Sequence, residues 1–554
     1  MSEAFFQDRY PEGVIKTIEA SLYQSVNQLF EESFTKYATR PAFTCLNRTL
    51  TYGELDQLSA QFATYLQQHT DLKPGDRIAI QLPNLLQYPI AMFGAMRAGL
   101  VVVNTNPLYT EREMEHQFND SGAKALVVLA NFTDRVANVL EKTGIKHVII
   151  TQVGDVHTGL KRPLINSVIK YVKKEVPAVT IPGAIPFRKA LALGKNINYS
   201  TPNVAGDDVA VLQYTGGTTG IAKGAMLTHA SLSANTMQCC VLFDSILNDD
   251  GETAIAPLPL YHIYAFIVHL LALTRFGAHS ILIPNPRDIP GFIKTLKQQP
   301  FEIFVGLNSL FVALCADDEF KAVDFSKLKI TTSAGMALTK AATETWMKMT
   351  GCSMSEAYGL TEASPLVSFN PPGHGKLGTI GLPVASTDCK IVDDSGNELP
   401  IGEGGELWVK GPQIMKGYWQ RPEATAETIT EDGWLKTGDI AAIREDGYMR
   451  IVDRKKDMII VSGFNVYPIE VEDILSSHPD VLEAAVVGVA DDKSGEVVKA
   501  YLASSNKDLT AEALRDYCKK ELTAYKVPKY IEFRDELPKS NVGKILRREL
   551  REEA

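Results

Sequence analysis

A chain of 554 residues is too long for one ordinary hydrophobic core, so two or more domains are expected. Its formal net charge of −10, from 56 Lys and Arg against 66 Asp and Glu, argues against nucleic-acid binding, and 45% hydrophobic with 22% charged residues is the composition of a soluble globular protein. Seven cysteines include no C-x-x-C pair, which gives no metal-site spacing and fits a reducing cytosol.

The first residues, MSEAFFQDRYPEG, lack the basic and apolar regions of a signal peptide. Residues 50–69 read as an amphipathic helix: Thr51 and Glu54 make a capping box, and Leu55, Leu58, Phe62, Tyr65 and Leu66 share one face. A turn at 73–76 leads into a strand at 78–82. Helix 88–98, strand 101–103, helix 111–119 and strands 123–129 and 147–151 follow. Such alternation argues for an α/β layered fold. In 161–177, Leu164, Ile165, Val168, Ile169 and Val172 fall on one helical face, flanked by Lys161, Arg162, Lys170, Lys173 and Lys174. That pattern suits both a helix lying on an anionic membrane and an ordinary helix with a solvated basic face.

An apolar run at 209–212 reads as a buried strand. Thr215, Gly216, Gly217, Thr218, Thr219 and Gly220 come next, then Lys223. Glycines let backbone N–H groups converge on a ligand, threonines add donors, and the lysine adds charge. Together they suit a polyphosphate, although the spacing is not that of a Walker A loop, because Ile221 and Ala222 stand between glycine and lysine. Further on, His262 sits among prolines and aromatics with no second ligand at metal spacing. The apolar run at 263–274 is too short to span a bilayer and reads as a buried element. Strands at 301–305 and 329–332 precede the small-residue turn Ser333-Ala334-Gly335-Met336-Ala337.

At 355–362, Tyr358 offers a face for stacking on a base, Thr361 a hydroxyl for a phosphate, and Glu362 a hard oxygen ligand for Mg²⁺. Asp439, after Thr437 and Gly438, can bind both hydroxyls of a ribose from a strand end, or can be a β-turn aspartate. From 405 to 452 the strands are short and read as a small antiparallel barrel or sandwich. A charge run at 453–457 precedes a compact α+β unit with a helix at 464–475, strands at 484–489 and 497–503, and a helix at 510–522. In the basic tail 538–548, Lys544 follows Gly543 on a loop and can reach beyond its own unit.

YTGGTTGIAKG, YGLTE, the TGD at 437–439, DRKKDMIIVSGFNVYPIEVE at 453–472 and PKSNVGKILRREL at 538–550 resemble, in order, the core motifs of the adenylate-forming superfamily. DGWLKTGDIAAIREDGYMRIVDRKK resembles the signature of its fatty-acyl-CoA synthetases. Two departures lie near the expected adenine and acyl pocket and bear on chain length. Ala357 stands where glycine is usual, and SAGMA at 333–337 where GGGMP is usual.

The resemblance implies an α/β fold with an N-terminal domain (1–453) of two α/β subdomains plus a small β-barrel at about 385–453. A hinge at 454–456 and a mobile α+β C-terminal domain (457–554) follow. It implies ATP-dependent activation of a long-chain fatty acid through an acyl-adenylate, then transfer to CoA, with Mg²⁺ as cofactor. A medium-chain substrate or a carrier-protein acceptor is the alternative; no carrier domain is legible, which favours free CoA. A non-catalytic acyl-binding protein on the same fold is disfavoured by the retention of Lys544, Glu362 and Asp439. In this picture Thr215 through Gly220 and Lys223 hold phosphates, with Glu362 and Thr215 on the metal. Thr361 faces the α-phosphate and Tyr358 the adenine. Gly335 borders the nucleotide, Asp439 and Arg454 serve the ribose, and Lys544 bridges carboxylate and α-phosphate. His262, Ala334, Gly335 and Ala357 line the acyl pocket, Ser462, Gly463 and Phe464 meet CoA, and Lys456 is the hinge. The implied setting is cytoplasmic without nucleic acid, with room for peripheral contact with the inner membrane and for a homodimer.

Overall fold

The computed structural model describes residues 3–553 apart from 196–198, 216–221, 245, 249–250, 463, 492–493 and 541–542. Helix Tyr52–Gln68 begins where the capping box sets it: Glu54 N–H donates to Thr51 Oγ1 (3.1 Å) and Thr51 N–H to Glu54 Oε2 (3.0 Å). Its apolar face, with Leu55, Phe62 and Leu66, packs on helix Gln87–Arg97. The two approach closely at Gly94, where a Cβ would lie 2.8 Å from the Ser59 carbonyl oxygen.

Helix Gln87–Arg97 in turn packs on a seven-stranded sheet. Its order is Ile185–Pro186, His147–Thr151, Ala123–Leu129, Arg77–Gln81, Val101–Asn104, Val209–Thr215 and Lys223–Thr228. Every neighbouring pair is parallel except the last, which is antiparallel. Strand sequences such as AKALVVL are buried almost throughout, as a parallel sheet covered on both faces requires.

The second sheet has nine strands, in the order Leu382–Pro383, Leu366–Phe369, Met354–Gly359, Ile330–Ala334, Ile303–Gly306, Thr253–Ala256, His279–Leu282, Pro41–Cys45 and Arg48–Thr51. An N-terminal hairpin thus ends a sheet made mostly by the middle of the chain, with Phe43 opposite Ser280. Buried helix His229–Asp244 packs against the apolar run, which forms a buried helical segment with a π-helical stretch at Phe266–Ala272, as its length required.

Where a small barrel is expected, strands Asp388–Val392, Gly405–Lys410, Leu435–Ile443 and Met449–Arg454 form an open antiparallel sheet. Among the described residues no pairing joins the first strand to the last. Short alternating strands fix one buried face (Cys389, Ile391, Leu407, Val409, Ala441, Ile443), and closure needs an edge pairing that this alternation does not encode. The C-terminal unit has a five-stranded sheet and its own core around Val466, Val471, Leu475, Val486, Leu502 and Leu514. Its first helix starts later than expected, at Pro468. Phe464–Val466 pairs with Ile459–Val461 instead, and proline at the first helical position sets the start. Among the described residues no helix is long and apolar enough to cross a membrane.

Candidate active site

Strand Met354–Gly359 runs to a 3₁₀ turn at Thr361–Ala363, which presents Thr361 and Glu362. Gly359 allows the turn: a Cβ there would lie 2.1 Å from the Pro365 carbonyl oxygen. The Glu362 carbonyl accepts from Met415 N–H (2.8 Å), and its Oε1 from the Tyr418 hydroxyl (2.7 Å). Tyr418 is held by a loop laid along strand Lys223–Thr228: Met226 N–H donates to the Gly417 carbonyl and Trp419 N–H to the Gly224 carbonyl, each at 2.8 Å. Lys223 Nζ lies 5.3 Å from the Tyr418 ring centroid, and Thr215 is the register partner of Lys223. Lys223 thus lies beside the tyrosine that bonds Glu362, with Thr215 across the hairpin from it. Gly216, Gly217, Thr218, Thr219 and Gly220 lie outside the described residues.

On the same strand, the Tyr358 hydroxyl donates to Asp439 Oδ2 at 2.5 Å, and Arg454 Nε stands 3.5 Å from Asp439 Oδ1. Asp439 and Arg454 are register partners on adjacent strands. Burial and the Asp439 carboxylate push the Tyr358 phenol well above its usual range, so it stays a donor and fixes the carboxylate beside it.

Lys544 reaches this cleft from the C-terminal unit. Its Cε lies 3.4 Å from where a Cβ on Gly335 would be, and Gly335 has φ +85°. The positive φ favours glycine there, and the bare backbone lets the lysine lie close. A tight loop aims the lysine: Lys544 N–H donates to Ser540 Oγ (3.1 Å), Ser540 N–H to the Lys544 carbonyl (2.7 Å), and Gly543 has φ +78°. Burial and then the Arg454 guanidinium draw the ammonium pKa down to about 8, against the opposing pull of Asp439 and Glu362. His262 caps the short helix Ile263–Ala265 and accepts from Tyr264 N–H (3.3 Å). Burial, then Lys544, lowers its pKa to about 4, so the imidazole is neutral.

Behind Ala357 lies an apolar cavity walled by Cys239, Leu242, Phe243, Ile267, Val268 and Phe369. Of the residues expected to line an acyl pocket, Ala357 borders this cavity and Ala334 is its register partner on the next strand. Gly335 and His262 lie at the Lys544 end instead. Sequence motifs missed the far wall. Its signal is helix His229–Asp244, which carries no charged residue before Asp244 and is buried on nearly every side. They also missed Tyr418, hidden in GYWQ.

Among the described residues no three His, Cys, Asp or Glu side chains group as a metal set. One carboxylate, Glu362, with threonine hydroxyls nearby in sequence, is a hard-oxygen donor set that suits Mg²⁺ shared with a polyphosphate and not zinc. Ser462 and Phe464 lie on the C-terminal unit's own hairpin. Phe464 is exposed and stacked on Tyr525 with centroids 5.0 Å apart, and Ser462 has φ +51°. Gly463 lies outside the described residues. Lys456 is exposed in a turn closed by Asp457 N–H to the Arg454 carbonyl (3.0 Å).

Residues 30–419 match the family of AMP-binding enzymes, and residues 470–544 match the AMP-binding enzyme C-terminal domain. A long-chain-fatty-acid–CoA ligase of Escherichia coli O6:H1 is 52% identical over 99% of this chain and 98% of its own. One from Haemophilus influenzae is 50% identical over 100% and 99%. Among solved structures, an anthranilate CoA ligase in complex with anthranoyl-AMP superposes with a TM-score of 0.85 at 25% identity, covering 97% of this chain and 99% of that one. ATP-bound MatB from Rhodopseudomonas palustris gives 0.82 at 27%, covering 96% and 99%.

Proposed function

Because the chain belongs to the AMP-binding enzymes, and within them to the long-chain-fatty-acid–CoA ligases, we infer that it activates long-chain fatty acids with ATP and transfers them to CoA. The fatty-acid carboxylate attacks the α-phosphate of ATP, and pyrophosphate leaves. The CoA thiol then attacks the acyl-adenylate carbonyl, and AMP leaves. Such transfers depend on positioning and charge neutralisation, and no protein nucleophile is needed.

The observation that carries this reading is Lys544 against Gly335, within electrostatic reach of both Glu362 and Asp439. An ammonium there bridges the incoming carboxylate and the α-phosphate, two anions that otherwise repel. Asp439, fixed by Tyr358, keeps lone pairs for the ribose hydroxyls, with Arg454 beside it. The Tyr358 ring flanks the adenine and Thr361 meets the α-phosphate. Thr215 and Lys223 close the phosphate end, and Glu362 with Thr215 would hold Mg²⁺, which would supply charge neutralisation for the triphosphate. Neutral His262 and Gly335 border the carboxyl end of the acyl chain, whose tail enters the cavity behind Ala334 and Ala357.

We further propose that 1–453 and 457–554 are separate bodies joined at 454–456, with Lys456 as hinge. Ser462, Gly463 and Phe464 would then meet the pantetheine arm of CoA after rotation. Peripheral contact with the cytoplasmic face of the inner membrane fits a substrate that dissolves in bilayers. A homodimer, expected from the resemblance, is tested by the mass in solution.

Pyrophosphate release on mixing oleate, ATP and Mg²⁺ tests the first half-reaction, and thioester formation on adding CoA tests the second. Pyrophosphate without thioester would move the acceptor to a carrier protein. Loss of both with oleate but not with a medium-chain acid would move the substrate class.

A further inference from the structure

The surface around residues 160–174 does not behave as a surface helix should. Helix Lys161–Ser167 continues into a π-helical turn, Val168–Val172, and no residue of either is buried. Among the described residues the helix is tied down on one side. Gly154 N–H donates to Asn166 Oδ1 (2.8 Å), Asn166 Nδ2 donates to Asp155 Oδ1 (3.2 Å), and Ile165 and Ile169 are half-buried. The opposite face is apolar and open: Leu160 is 87% exposed, Leu164 64%, Tyr171 68% and Val172 74%, with Val168 also exposed. These positions recur at helical spacing, so they form one stripe. The apolar face recognised in the sequence is thus split, with the isoleucines inward and the leucine and valines outward.

Single exposed apolar residues are ordinary, but a contiguous stripe marks a binding face. Its rim is cationic: Lys161, Lys170, Lys173 and Lys174 are all exposed, on a chain whose net charge is −10. Lysine stems can lie along an apolar surface while the ammonium reaches outward, and tyrosine favours the boundary between apolar and aqueous phases. A protein partner would have to be both acidic and apolar over this stripe. An anionic bilayer offers phosphate at the rim and hydrocarbon at the centre.

We propose that residues 160–174 form a docking face for anionic lipid, on which the protein sits with Leu160, Leu164, Val168, Tyr171 and Val172 in the headgroup–acyl boundary. The proposal rests on the peripheral membrane contact inferred above and assigns it to one segment. It gives the enzyme contact with the phase in which its substrate is dissolved.

Co-sedimentation of the full chain with phosphatidylglycerol-containing vesicles, and with pure phosphatidylcholine vesicles, tests it. The parent should bind the anionic vesicles, and added salt should release it. K170Q/K173Q/K174Q should lose about fivefold in binding per cation removed. L164S/V172S should lose binding even at low salt. Both variants should keep activity on a short water-soluble acid, which shows that they are folded and separates this test from the assignment of activity. The proposal falls if the parent does not bind, if either variant binds anionic vesicles as the parent does, or if neutral vesicles bind equally well. It also falls if L164S/V172S converts a dimer to a monomer, which would make the stripe an interface between copies.

Discussion

Lys544 and Phe464 belong to the same C-terminal unit and meet opposite surroundings. Lys544 is pressed against Gly335 in the cleft, with its pKa drawn down to about 8. Phe464 is exposed and stacks on Tyr525. The orientation seen therefore suits one of the two tasks proposed for the unit. On the function proposed above, it would deliver a cation to the phosphate chemistry and leave the hairpin expected to meet CoA unengaged. Two proposed tasks, one cleft and a short linking turn would require the unit to turn over between half-reactions.

The largest expected effect comes from removing the engaged side of this pair. Lys544→Ala should lower acyl-adenylate formation about a thousandfold, the scale for losing a preorganised charge. It should leave thioester formation from supplied acyl-adenylate and CoA nearly unchanged, because the hairpin is intact. Equal loss of both half-reactions in a folded variant would break the comparison. Glu362→Gln should come next, costing ~3 kcal/mol in pyrophosphate release by weakening charge neutralisation. Near-normal pyrophosphate release would remove this carboxylate from the mechanism.

Lys456→Pro addresses the turn between the two sides. The turn's hydrogen bonds come from the Lys455 and Asp457 amides, so proline at 456 leaves them in place. Fixing φ restricts rotation. Thioester formation should fall about tenfold or more while pyrophosphate release persists, measured by quenched-flow assay of each step. The smallest effect is in the pH profile. Lys544 has its pKa lowered from 10.5 to about 8, so the ammonium is present below that pH and lost as pH rises through it. Adenylation at limiting ATP should therefore fall by up to about tenfold per unit above pH 8. Thioester formation from supplied acyl-adenylate should not share that limb. A common limb would place the titrating group outside the adenylation step.

The chemical residues were legible because each sits in a local pattern whose purpose can be read from a few neighbours. Glycines around a lysine, and Tyr-Gly-Leu-Thr-Glu after a strand, are of this kind. The contacts that join them were not legible. Tyr418 bonds Glu362 only because a distant loop lies on strand Lys223–Thr228, and GYWQ gives no sign of it. The cavity draws on helix 229–244, the π-helical segment and three strands, so no single window contains it. The open sheet at 388–454 was over-read as a barrel because alternation specifies a buried face and not closure. Residues 464–466 were over-read as helix because the apolar spacing of the helix continues backward past Pro468 into a strand.

The hairpin Pro41–Thr51 at the edge of the nine-stranded sheet has a consequence for biosynthesis. Its partner strand, His279–Leu282, leaves the ribosome long after it does. At about 5–20 residues per second, the hairpin waits on the order of ten seconds or more for that neighbour. During this interval Phe43 and Leu50, both fully buried in the finished protein, lack much of their cover, and one strand edge has no mate. The nascent chain is therefore most exposed to misassociation between emergence of its first sheet and arrival of residue 282, the window in which a chaperone has the most to protect.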